Sequence, residues 1–237
     1  NRIINNTNFG VRLYQSYNNT VSANNLTHNI YGAWFFCSVN NRFYHNNFID
    51  NTQQVYIELA EDANFWDNGI EGNYWSDHTG IDQNHDGISD TAHAIYTNNA
   101  DNYPLMGMLS SFNTPIGYHV NVVSNSTLED FEYFETNSTI KIHVSGEEGI
   151  GFCRINIPHV LMNVSGISVI IDDGLTPVLY YNYTLYDNGT HRWIYFSYPH
   201  SIHEINIIPE FPSLVTIPLF MIATLLAVMV YRRKRST

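Results

Sequence analysis

Apolar residues recur at a fixed offset of 22 positions near the start of the chain, and that period restricts the fold more than any other feature. Val11, Ala33 and Val55 are in phase; so are Leu13, Phe35 and Ile57, then Val21, Phe43 and Phe65, then Leu26, Phe48 and Ile70, with Ile4 one period before Leu26. Ser16, Ser38 and Ala60 share a phase, Gly10 matches Gly32, and Asn24, Asn46 and Asn68 keep their identity. A period of about 20 to 25 residues without helical spacing marks a solenoid, in which one coil cannot bury its apolar face and stacked coils form a continuous core. The runs from Gly10 to Tyr14, Thr20 to Leu26, Arg42 to Ile49 and Gln54 to Leu59 alternate apolar and polar positions, as strands do. The frame of a leucine-rich repeat is missing, so residues 1–75 are predicted to be parallel β-helix coils. Their 17 Asn suit turns with positive φ, or side-chain amide ladders between rungs. The chain begins in mid-repeat without Met, as expected of a C-terminal piece of a longer protein.

The coils resemble the right-handed β-helix of the NosD-like and carbohydrate-binding/sugar-hydrolase group. The stretch Gly72-Asn73-Tyr74-Trp75-Ser76-Asp77-His78-Thr79-Gly80, then Asp82 to Thr91, then Asp101-Asn102-Tyr103-Pro104-Leu105-Met106, resembles the end-segment of its archaeal members. That likeness spans residues 1–108. Copper-maturation proteins occur in the group, which makes His78, His85 and His93 candidate soft-metal ligands.

Within residues 76–115, Asp82-Gln83-Asn84-His85-Asp86-Gly87-Ile88-Ser89-Asp90 has the alternating oxygen donors of a calcium loop. Asp82, Asn84, Asp86 and Asp90 would supply side-chain oxygens and Ile88 its carbonyl. Asp77 and Asp101 are the nearest candidates for a missing ligand. His93 stands where a helix-flanked loop would need a bidentate Glu, so the loop resembles dockerin-type and thrombospondin-type repeats instead. A structural calcium would cap the exposed coil end.

From 116 to 208 the Asn repeat stops. Alternating runs from His119 to Val123, Thr139 to Val144, Gly151 to Ile157, Ser168 to Ile171, Val178 to Leu185 and Trp193 to Tyr198 predict a small β-sandwich, a stalk beneath the coils. Its Gly151–Pro158 stretch resembles the β-domain that precedes sorting signals in archaeal surface proteins.

The run from Leu214 to Tyr231 is 18 residues without a charge, about long enough to span a bilayer as a helix, and Arg232, Arg233, Lys234 and Arg235 follow. The expectation is one transmembrane helix at 214–231, a cytoplasmic tail at 232–237 and everything earlier outside. Pro209-Glu210-Phe211, in the segment 209–213, resembles the PEF-type sorting signal of archaeal surface proteins, which implies an archaeosortase as partner. Eight N-x-Ser/Thr sequons, at Asn5, Asn18, Asn25, Asn125, Asn137, Asn163, Asn182 and Asn188, all precede that run, as glycosylation outside the cell requires.

Without the four terminal cations, 6 basic residues face 22 acidic ones. Such a surface repels nucleic acid. Cys37 and Cys153 are 116 positions apart and read as two buried small hydrophobes rather than a disulfide. A lyase or hydrolase needs a basic proton acceptor or paired carboxylates on one groove. No Lys precedes Lys141, and neither Arg2, Arg12 and Arg42 nor Asp50, Glu58, Glu61, Asp62 and Asp67 stack at the 22-residue period. The expectation is therefore a non-catalytic cell-surface protein that is glycan-binding, adhesive or structural. A polysaccharide lyase or hydrolase with its site on upstream coils, and NosD-like copper handling, are the alternatives. An aromatic set of Tyr14, Phe36, Tyr44, Tyr74 and Trp75 is open to sugar stacking or to core packing.

Overall fold

The computed structural model describes residues 1–59, 63–164, 166–172 and 179–210. The proposed membrane run from Leu214 to Tyr231 and the basic tail lie outside them, as do Ala60, Glu61 and Asp62. Among the described residues every regular element is a strand, and no helix is long and apolar enough to cross a membrane.

Each coil turns through three short strands. The first holds β1 (Arg2–Ile4), β2 (Phe9–Tyr14) and β3 (Thr20–Ser22); the second β4 (Asn25–Thr27), β5 (Tyr31–Phe36) and β6 (Arg42–Tyr44); the third β7 (Asn47–Ile49), β8 (Gln53–Ile57) and a single bridge at Phe65, after which β9 (Tyr74–Trp75) stacks on β7. They stack as the parallel sheets β1-β4-β7-β9, β2-β5-β8 and β3-β6. The long runs expected from Thr20 to Leu26 and from Arg42 to Ile49 are each broken by a corner, at Ala23-Asn24 and His45-Asn46.

The 22-residue phase holds where Val11 pairs with Ala33, Ala33 with Val55, and Leu26 with Phe48. It slips at both ends. Leu26 pairs with Ile3, not Ile4. In the third coil the offset is already 23 where Arg42 bridges Phe65, so Trp66 rather than Phe65 fills the core, and an inserted arc at 68–72 then lengthens it to 27, so Phe48 pairs with Trp75 rather than Ile70. Ile70 and Phe65 are half exposed, whereas Trp66 and Trp75 pack against Phe35, Phe43 and Phe48.

The corners explain the asparagines. Asn5, Asn18, Ala23, His28, Asn40, His45 and Asp50 take positive φ, at a cost of about 1 kcal/mol or more each. The residue after each is the one that stacks. Asn1, Asn24 and Asn46 each donate Nδ2–H to the Oδ1 of the next coil's Asn at 2.9–3.0 Å, ending on Asn73. Asn6, Asn29 and Asn51 form a second ladder, and Asn19, Asn41 and Asn64 a third. Most of these amides are buried, and each bond of this kind is worth about 1 kcal/mol. Gly10 and Gly32 recur because a Cβ on Gly10 would lie 2.6 Å from the Gly32 carbonyl oxygen, and one on Gly32 would lie 2.5 Å from that of Gln54.

A hairpin of β10 (His93–Tyr96) and β11 (Asn99–Asp101) closes the stack. A sandwich follows, starting at β12 (Met108–Asn113). One sheet orders β12, β13 (His119–Ser124), β16 (Ile150–Pro158), β20 (His191–Pro199) and β19 (Thr184–Asp187). The other orders β14 (Thr127–Phe134), β15 (Thr139–Ser145), β21 (His203–Glu210), β17 (Gly166–Asp172) and β18 (Leu179–Tyr181). Sequence reading missed β12, β14 and β21, and it joined β18 to β19, which belong to opposite sheets. Pro209 and Glu210, the start of the proposed sorting motif, end strand β21.

The first sheet is covered on both faces. Cys153, Ile155, Ile194 and Phe196 fill the sandwich, while Phe152 joins Ile88, Leu105, Leu109 and Val123 in a cluster against the coil stack. Asn47 and Leu109 exchange two 2.8 Å bonds across this seam. Both cysteines are free.

Candidate functional site at the seam

The arc at 68–72 is built by its own side chains. Asn68 Oδ1 accepts the N–H groups of Ile70 and Glu71, Asp67 Oδ1 accepts that of Gly69, and Gly69 supplies a φ of 91°. The turn drives Glu71 into the seam, where only 6% of it is exposed. There Oε1 accepts Nε and Nη2 of Arg154 at 3.0 and 2.8 Å and the Trp193 indole N–H at 3.0 Å, while Oε2 lies 2.8 Å from His45 Nε2. Burial alone would raise the Glu71 pKa; bonds and charges from His45 and Arg154 outweigh it and hold it at about 2. Arg154 Nη1 also donates to the Asp86 carbonyl at 2.7 Å, which ties the acidic loop to the sandwich.

That loop wraps around its own amides. Both Asp82 oxygens accept from the backbone, Oδ1 from Asp86 N–H and Oδ2 from Gly87 N–H. Asp86 accepts from Ile88 N–H and from the Asn84 side chain, and Asp90 from Gln83 N–H. Gly87, at φ 81°, lets the turn close against Arg154. Burial and the nearby carboxylates of Asp82 and Asp86 push the Tyr195 phenol up to about 12. Five oxygen donors of the hard type therefore share one short loop, but among the described residues no three His, Cys, Asp or Glu side chains are gathered to hold a metal ion.

Asp77 and Asp101 are engaged elsewhere. Asp101 Oδ2 accepts Asn73 N–H at 2.7 Å and the Trp75 indole N–H at 2.9 Å, and Oδ1 accepts Tyr103 N–H at 3.0 Å. It terminates the first asparagine ladder and is fully buried, and burial outweighs these donors to raise its pKa to about 6. Asp77 meets Gln54 Nε2 at 3.4 Å and lines a recess with His78 and His93. Those two imidazoles stand edge to face at 5.3 Å, and burial lowers the pKa of both. His85 stacks instead on Tyr195.

Beside the loop opens a cleft of ≈ 520 Å³. Asn84, Asp86 and Asp90 of the loop line it with Asn102, Tyr103, Arg154 of β16 and Tyr186 of β19. Tyr103 and Tyr186 are 39% and 57% exposed. Sequence reading found the loop but missed Glu71, Arg154, Asn102, Tyr103 and Tyr186. Arg154, a lone cation within the apolar run Gly151–Pro158, is the one that carried a signal. The aromatic set splits: Tyr14 stacks on Phe36 outside the coils, Tyr44 meets His45, and Trp75 is core.

Short three-strand coils joined by buried amide ladders define the class, a parallel β-helix protein whose stack is sealed by a second β domain. Residues 1–80 match the family model described as periplasmic copper-binding protein (NosD). Over 82 residues the chain is 37% identical to the "Probable ABC transporter binding protein NosD" of Stutzerimonas stutzeri, covering 34% of this chain and 19% of that protein. The chain thus spans about a fifth of the length of that curated relative. No solved structure matches.

Proposed function

We propose that this chain is a non-catalytic binding protein of the cell envelope that holds a carbohydrate in the seam cleft. The observation that carries the reading is the lining of that cleft: side-chain amides and carboxylates to meet hydroxyls, two exposed tyrosines to meet a sugar face, and Arg154 held in place by Glu71. Its volume lies in the range of small-ligand sites, about 300–1,000 Å³. Turnover is disfavoured because Asp86 and Asp90 are tied to the backbone N–H groups of Ile88 and Gln83. Asp101, raised towards working pH, is sealed in the core. The envelope location rests on the periplasmic description of the matching family. A glycan array followed by calorimetry on the full chain tests the reading. Binding without product release is expected, with Tyr186→Ala weakening it about tenfold; released product, or no sugar bound, overturns it.

Calcium in the 82–90 loop belongs to the same proposal. The donor set is all oxygen, and the loop would have to release its own amides to present them. A membrane anchor at 214–231, with an archaeosortase acting at Pro209-Glu210-Phe211, is likewise proposed from sequence; mass spectrometry of the mature C-terminus tests it.

One observation favours a second reading, copper handling. His78 and His93 face one recess with Asp77 and are held towards the neutral, metal-binding form, in a segment overlapping the NosD match. Copper titration of the chain and of a His78→Ala/His93→Ala variant decides it: equal uptake by both removes these residues from the reading.

A further inference from the structure

On the sugar-binding reading just given, we infer that the seam cleft is one half of a two-compartment groove that takes a linear, amine-bearing oligosaccharide rather than a single sugar. A second cleft of ≈ 460 Å³ lies between the third coil and the β10–β11 hairpin, and the two share Asn102. Asp67 marks the boundary, where its Oδ2 accepts the Asn102 backbone and side-chain N–H groups at 3.3 and 3.1 Å.

The two compartments repeat one chemistry. Phe65 and Tyr96, 51% and 49% exposed, stand in the second where Tyr103 and Tyr186 stand in the first. Asn40 and Asn98 supply amides in the second, as Asn84 does in the first. Two exposed rings and side-chain amides in each cleft suit two or more sugar units, and a chain spanning both gains from the high effective concentration of its second unit.

Charge selects among such chains. The groove carries Asp67, Asp86 and Asp90, with Glu71 below them. Opposite them are two guanidiniums. Arg154 is spent on Glu71 and the Asp86 carbonyl, and Arg42 lies over the Phe65 ring at 5.4 Å. With the 82–90 loop free of calcium the surplus is negative, which repels uronate, sulfate or phosphate groups and attracts an ammonium; millimolar calcium should erase that preference.

Calorimetry of the full chain with glucosamine oligomers of one to five units, beside their N-acetylated counterparts, tests this. Affinity should rise about tenfold from one unit to three. The free amines should bind several-fold tighter than the acetylated series, with the advantage shrinking in high salt. Tyr96→Ala should erase the gain with length. A trimer no tighter than the monomer, or a Tyr96→Ala protein that keeps the gain, overturns the two-compartment groove. Equal affinity for amines and acetamides overturns the charge selection. Both leave single-cleft sugar binding standing. No binding of any sugar removes that reading and this inference together.

Discussion

Asn46 works at four places at once. It accepts Asn24 N–H and Nδ2–H, and its own Nδ2 donates to Val21, Tyr44 and Asn73. Asn46→Ala strands buried partners on both sides and is expected to cost about 2–4 kcal/mol. Asn68→Ala, in phase with it by sequence but outside the ladders and bonded through Oδ1 to the Ile70 and Glu71 N–H groups of the arc, is expected to cost about 1 kcal/mol. Urea melts that gave the two variants equal stability would refute the ladder account. Asp101 and Glu71 pull opposite ways with pH. Asp101, raised from 3.8 to about 6, adds stability that is fully present below pH 3.8 and lost as pH rises through about 6. Glu71, lowered from 4.5 to about 2, adds stability present above pH 4.5 and lost as pH falls through about 2. Each effect is bounded at about 3 kcal/mol. Asp101→Asn is expected to flatten the pH dependence between 4 and 6, and Glu71→Gln that below 4.5; denaturant midpoints across pH 2–7 measure both.

At the scale of elements, the decisive contact joins the inserted arc to strand β16. Arg154→Met leaves Glu71 buried with a charge and only His45 and Trp193 beside it, for an expected loss of about 3–5 kcal/mol. Glu71→Met/Arg154→Met should recover most of that loss. A double variant as unstable as the single one would show that the ion pair itself, not the unpaired charge, sets the cost. This junction also marks where the sequence stops being legible. The coils were readable because Val11, Ala33 and Val55 repeat in register, so a local count carries three-dimensional meaning. The third coil was misread because the arc adds residues without changing composition, leaving Asn68 and Ile70 in phase by accident while Asn73 and Trp75 take the structural places. The acidic loop was legible because its spacing is local. Glu71 and Arg154 are 83 positions apart and meet only through docking of the sandwich, and no spacing rule reaches that far. Asp77 and Asp101 looked like spare ligands because nearness in sequence does not reveal the ladder and the recess that hold them.

At the largest scale, the coil stack is sealed at its C-terminal end. The cluster of Ile88, Leu105, Leu109, Val123 and Phe152 and the Asn47–Leu109 exchange weld the sandwich to the last coil. Coils and sandwich are therefore expected to unfold in a single calorimetric transition, and two separated transitions would contradict the weld. If the 82–90 loop binds calcium, millimolar calcium added after chelation should raise the melting temperature of that transition. The asparagine ladders give the stack a polarity as well. Every rung passes its donor forward to the next, so an internal rung is interchangeable with its neighbours, and a duplicated 22-residue unit would slot in with all its partners supplied. Asp101 stands at the end as a carboxylate that receives donors and has none to hand on. It works as a full stop: the fold can be lengthened from within, at any interior rung, but the column cannot be continued past that residue.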